Sequence, residues 1–217
     1  MKKLITTLSM AVIVSTTLIG CSTLQTKPTS HTLYLDDYSK LSKVDTRNGD
    51  QALVWVNPDV KMQNYKTLAF QPIAYFTGVN TNNNVNQDVL DKVLNYTNSQ
   101  VKAELAKNYT ITSANADLEF KGVITKMDAS TKTMKIYEAL PFMMVYSGGK
   151  YLAGQRELTT QIIFEGQFID KKTNQPVLKY IQRIQGEQLK NKKAQLTVED
   201  VKKAIDLFAQ DLAYIAK

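Results

Sequence analysis

Leu158-Thr159-Thr160-Gln161-Ile162-Ile163-Phe164-Glu165-Gly166-Gln167-Phe168-Ile169 runs into Asp170-Lys171-Lys172-Thr173-Asn174-Gln175-Pro176, and the way these residues alternate decides the fold. Successive side chains of an extended chain point to opposite faces. Leu158, Thr160, Ile162, Phe164 and Phe168 therefore share one face, while Thr159, Gln161, Glu165 and Gln167 mark the other. Residues 171–176 are polar and carry turn-forming types, and residues 177–184 are again rich in apolar side chains. That order predicts an antiparallel hairpin, with Asp170 as the residue that closes its turn.

Working outward, Ala52-Leu53-Val54-Trp55-Val56 is a short strand with apolar residues on both faces, which implies burial, and Asn57-Pro58-Asp59 ends it. Residues 66–76 read as a second strand with Leu68, Phe70 and Ile73 inward. Residues 109–112 form a short third strand, and 118–127 a longer one alternating Leu118, Phe120 and Ile124 against Lys121 and Thr125. Ordered structure begins near residues 36–41.

Two stretches carry the helical period instead. Val89, Val93, Tyr96, Val101 and Leu105 recur near helical spacing within residues 87–107, with Asn108 as the expected C-cap. Val201, Ala204, Ile205, Phe208, Leu212 and Ile215 give a cleaner stripe over residues 198–216, opened by Thr197 and Asp200 in a capping-box spacing. Both helices are expected to dock on the sheet, although the first could instead present its face to a partner. The reading is a single α+β domain over residues 34–217, with an antiparallel-rich sheet and two principal helices.

Val54-Trp55-Val56-Asn57-Pro58-Asp59, followed by Tyr65-Lys66 leading into Leu68 through Ile73 with Pro72, resembles a family of bacterial lipoproteins known as domain of unknown function 3313. Tyr38-Ser39-Lys40-Leu41 resembles that family's opening segment, and Asp170 through Leu178 its strand–turn–strand. Asn174 stands where the family more usually has Gly, and either residue tolerates a positive φ. The resemblance covers about residues 34–217 and brings no catalytic residues with it.

The N-terminus supports the same class. Met1-Lys2-Lys3 is positive, and residues 4–18 are apolar apart from Thr and Ser. A run of about fifteen residues is too short to span the roughly 30 Å hydrocarbon core, and fits an export signal over residues 1–20. Leu18-Ile19-Gly20-Cys21 resembles the lipobox of bacterial lipoproteins, with the chain's single cysteine in the acylated position. The resemblance implies diacylglycerol on the Cys21 sulfur, cleavage before Cys21, and N-acylation. An ordinary signal peptide ending near a cysteine is the alternative. One acyl chain holds a protein only marginally, whereas several anchor it stably. Ser22 follows, where Asp tends to retain such proteins in the inner membrane, so the expected address is the periplasmic face of the outer membrane. Residues 21–33 read as the acylated cysteine and a tether of Ser, Thr, Gln, Lys and Pro.

Composition narrows the chemistry. The formal charge is +7, and loss of the signal removes Lys2 and Lys3 from that surplus. So mild a surplus could attract lipid headgroups, peptidoglycan or acidic lipopolysaccharide, but no nucleic-acid motif accompanies it. With Cys21 given to lipid there is no disulfide and no thiolate. The one imidazole, His31, lies on the tether, where it cannot serve a nucleophile. Glu157 and Glu165 stand about 27 Å apart along one strand, too far for a glycosidase pair. Asp36 and Asp37 sit beside the tether. Gly148-Gly149-Lys150 lacks the spacing of a phosphate loop, and Lys190, Lys192 and Lys193 read as a solvated cluster rather than an anion site. No metal and no cofactor beyond the acyl chains is expected.

Ala139-Leu140-Pro141-Phe142-Met143-Met144-Val145-Tyr146 is the least ordinary stretch. It could cover the core, or form an interaction patch through Leu140, Phe142, Met143, Met144 and Tyr146. The expectation is a non-catalytic envelope lipoprotein that binds an envelope protein or the cell wall. The alternative is a small-ligand or lipid-handling module with residues 140–146 at the mouth of an apolar cavity.

Overall fold

The computed structural model describes residues 34–76, 86–130, 159–188 and 196–217. Cys21 with the stretch that resembles a lipobox, His31, Glu157, residues 140–146 and the Lys190 cluster lie outside them.

Eight strands form one sheet: β1 Ser42–Asp45, β2 Gln51–Val56, β3 Thr67–Phe70, β4 Ala74–Tyr75, β5 Thr110–Ile111, β6 Leu118–Ser130, β7 Thr159–Asp170 and β8 Gln175–Gln188. Their order is β1-β2-β8-β7-β6-β3-β5, with β4 beside β6. The hairpin β7–β8 is central and antiparallel, as its alternation predicts, and β6 and β2 flank it antiparallel. At the far side β3 pairs parallel with β5 and β6, and β4 parallel with β6. The fold is thus α+β, mostly antiparallel, with α1 Gln87–Leu105 and α2 Glu199–Ile215 on one face.

Residues 66–76 are not one strand. Gln71-Pro72-Ile73 separates β3 from β4, because proline cannot donate to a ladder. The break is stitched to α1, where Asn98 Oδ1 accepts from the Ile73 N–H at 2.7 Å and its Nδ2 donates to the Ile73 carbonyl at 2.9 Å. Strand β1 does not follow from the sequence reading, and β8 runs on to Gln188, beyond the apolar-rich residues 177–184 that mark it in the sequence. Helix α1 ends at Leu105 with Ala106 as its cap. Asn108 does another job, donating from Nδ2 to the Ala213 carbonyl at 2.7 Å and joining the ends of the two helices. At α2, Asp200 accepts from both the N–H and the hydroxyl of Thr197 at 2.7 Å, one half of the expected capping box.

The helix-covered face holds the main core. Phe120, Phe164, Phe168 and Phe208 pack ring on ring, with centroid separations from 4.7 to 6.4 Å. Gly122 and Gly166 are opposite one another beneath the Phe164 ring, and a Cβ on either would lie within 2.8 Å of it. Missing side chains there let the ring lie flat on the sheet. The predicted stripe of α2 is buried at Val201, Ile205, Phe208 and Leu212. In α1 the buried set is Val89, Leu90, Val93, Thr97, Val101 and Leu105, with Tyr96 at its margin.

Candidate functional site

The opposite face of the hairpin is where the structure departs most from the sequence reading. Gln161 and Glu165, expected on a polar face, are buried. Residues 34–41 cross this face as a strap. Leu35 and Tyr38 pack with Leu53 of β2, Ile163 of β7 and Ile181 of β8 into a second, small apolar cluster. Glu165 lies among them. In the register it stands opposite Ile181 on one side and Val123 on the other, and Ile181 in turn faces Leu53. A lone carboxyl has thus been placed in an apolar row.

Three bonds fasten the strap. The Tyr38 hydroxyl donates to Glu165 Oε2 at 2.5 Å and accepts from the Leu35 N–H at 3.0 Å, so one oxygen links strap backbone, strap side chain and sheet. Lys179 of β8 donates to Asp36 Oδ1 at 2.6 Å and to the Asp37 carbonyl at 3.2 Å. Asp37 folds the strap on itself, accepting from the Ser39 N–H and hydroxyl at 2.8 and 2.7 Å. The Trp55 ring lies between two ammonium groups, Lys40 and Lys179, each 5.7 Å from its centroid. At the strap's start Tyr34 meets Phe76 edge-on at 6.0 Å.

Burial sets the electrostatics. Removal from water pushes the Glu165 carboxyl above its ordinary range, although hydrogen bonds from Tyr38 and Thr125 pull the other way. Desolvation and the neighbouring Glu165 charge push the Tyr38 phenol up as well. The hydrogen bond from Lys179 holds the exposed Asp36 below the usual carboxylate range.

Beside the strap an open groove of about 420 Å³ runs between Tyr34, Pro72, Ala74 and Gly122. Glu119 on its wall accepts from Gln71 at 2.9 Å and pairs with Lys121 at 3.0 Å. Among the described residues no group of three His, Cys, Asp or Glu side chains is placed to hold a metal. Asp170, read as the turn residue, accepts from the N–H groups of Lys172 and Thr173 at 2.8 and 2.9 Å, and Asn174 adopts φ 56°.

Sequence reasoning missed Glu165 as a buried group. The signals were Ile163 on the nominally polar face and the two-sided apolar character of β2.

The described residues form one α+β domain that begins with a strap across the sheet. The chain matches the family described as Protein of unknown function (DUF3313) over residues 30–212, and it belongs to that family. It is 34% identical over 196 residues to the Uncharacterized lipoprotein YdcL of Escherichia coli (strain K12), covering 89% of this chain and 88% of that one. The coarse reading from sequence, a lipid-anchored lipoprotein of the cell envelope, agrees with that relative. Among solved structures, the chain is similar to the PelC dodecamer of Paraburkholderia phytofirmans, with TM-score 0.33, 12% identity, and coverage of 72% of this chain and 96% of that one. It is also similar to a PDZ domain protein of Parabacteroides distasonis, with TM-score 0.42, 16% identity, and coverage of 82% and 38%. At such scores nothing of their roles transfers.

Proposed function

We propose that this chain is a non-catalytic interaction lipoprotein, anchored through acylated Cys21 on the periplasmic face of the outer membrane, where it engages an envelope protein or peptidoglycan. The observation that carries the anchoring is the lipobox Leu18-Ile19-Gly20-Cys21 at the head of a chain that aligns along most of its length with a lipoprotein. Residues 21–33 would span at most about 45 Å when extended, so the domain works close to the membrane. A binding role, rather than a chemical one, is favoured by the state of Glu165. That buried carboxyl is capped by Tyr38 and walled by apolar side chains, out of reach of a substrate while the strap is closed. The open form of the groove beside Tyr34 suits a partner's surface better than the enclosed cavity a lipid carrier needs.

Two experiments test this reading. Cys21→Ala should abolish palmitate labelling and the processing shift on a gel, and normal labelling of that variant would refute the anchor. Cross-linking of the native lipoprotein in intact cells, followed by mass spectrometry, should return a discrete partner or cell-wall fragments. Purified chain that carries a stoichiometric small lipid instead would favour the ligand-handling alternative.

A further inference from the structure

We propose that residues 34–41 form a proton-sensitive latch: they fasten the root of the tether to the helix-free face of the sheet over Glu165, and the latch loosens when Glu165 is charged. The geometry assigns this role because Glu165 is the one ionisable group in the row Leu53–Ile181–Glu165–Val123, and the strap is what closes that row from water. Burying a carboxylate among aliphatic side chains is costly unless it is paired, whereas a protonated carboxyl is buried far more readily. The bonds Glu165 accepts come from the hydroxyls of Tyr38 and Thr125 and from the Leu35 N–H, and none of these donors carries a compensating positive charge.

The charged groups around it do not supply one. From the strap, Tyr34 and Tyr38 face Glu165, while the Asp36 carboxylate pairs with Lys179 and the Asp37 carboxylate accepts from Ser39. On β8, Lys179 is committed to Asp36, and Arg183 lies beyond Ile181 opposite Ile163. On β6, Lys121 is paired with Glu119, and Lys126 also stands opposite Ile163. On this face β2 offers Leu53 and Trp55, and β7 offers Gln161, Ile163 and Gln167, none of which ionises.

The direction follows from linkage. With the strap closed the carboxyl's pKa stands above its ordinary value because burial, to which the strap contributes Leu35 and Tyr38, outweighs the hydrogen bonds that favour the charged form. Closure is therefore favoured in full below the solvent value and loses that advantage as pH rises through the closed-state value. Each pKa unit of difference makes the latch about tenfold easier to open on the alkaline side. Trp55 is the chain's only tryptophan and lies on this face between Lys40 and Lys179, so its emission reports the strap directly.

The test is a titration of Trp55 emission in the full chain, purified in non-ionic detergent, from about pH 4 to about pH 9, the span over which buried carboxyls titrate. Backbone exchange at Leu35 and Ser39, corrected for intrinsic rates, is followed alongside. The expected result is a single-proton transition in emission, with protection in the strap falling at least tenfold above it while the α2 amides stay protected. Glu165→Gln, which keeps an acceptor for Tyr38 but cannot ionise, should remove the transition and leave the strap closed throughout. Tyr38→Phe, which removes a bond favouring the charged carboxylate, should move the midpoint to higher pH and so decides the matter even if the Gln variant fails to fold. No transition in the parent chain, a transition unchanged in Glu165→Gln, or an unmoved midpoint in Tyr38→Phe would each overturn the latch. Calling the strap the root of a tether rests on anchoring at Cys21, but the titration reads the same acylated or not, so the two ideas fail separately.

Discussion

On the helix-covered face, four phenylalanines, Tyr180 and the apolar stripes of two helices bury one continuous core, whereas on the other face five buried apolar residues and one carboxyl hold down an eight-residue strap. Stability on the first face is spread over area, at about 25 cal/mol per Å² of apolar surface removed from water. Stability on the second depends on a few bonds converging on Tyr38 and Lys179, and little apolar area supports them. Regions with few buried apolar contacts open locally at less than the global unfolding cost. The first face should therefore set the melting temperature and the second should open within the folded molecule.

Substitutions can break that contrast. Phe208→Ala removes a ring packed 4.7 Å from Phe164 and 6.3 Å from Tyr180, and should cost about 3–5 kcal/mol in chemical denaturation. An unchanged denaturation curve would mean that α2 is not docked. Leu35→Ala empties the centre of the strap cluster and should cost about 2 kcal/mol, at the low end for buried leucine because the strap can settle into the gap. Its effect should be seen as faster exchange in residues 34–41 with the main transition barely moved. A matching drop in global stability would show that the two faces unfold as one. Lys179→Met keeps the buried stem and loses an ion pair whose Asp36 partner is largely in solvent. Exposed pairs contribute at most about 1 kcal/mol, so exchange protection in residues 34–41 should fall by no more than about fivefold at any one pH.

What could be read from sequence divides along the same line. The hairpin β7–β8 and both helices were legible because each carries its burial pattern within itself, at period two or near 3.6. The turn at Asp170 and Asn174 was legible from residue chemistry. The break at Gln71-Pro72-Ile73 was written in the proline, yet the apolar residues on either side read as one run. The environment of Glu165 was not legible. Its partner Tyr38 is 127 positions away, and alternation within β7 shows that a face is polar without showing what covers it. The parallel pairing of β3 with β6 is hidden for a similar reason, since it depends on the crossover through α1.

The smallest expected effect belongs to the hairpin turn, which both faces share. Asn174 holds φ 56°, a region that costs most L-residues about 1–2 kcal/mol and that Asn tolerates better than others. Its N–H donates to the Asp170 carbonyl at 2.8 Å, a bond any residue can make. Asn174→Gly relieves what strain remains but gives the unfolded chain more freedom, and these two changes nearly cancel. The substitution should shift stability by no more than about 0.5 kcal/mol, whereas Asn174→Ala should cost about 1 kcal/mol. Paired melting curves of the two variants measure the difference. Equal stability for Gly and Ala would mean that the turn is not held in the left-handed conformation, and that β7 and β8 are set in register by their ladder and core alone.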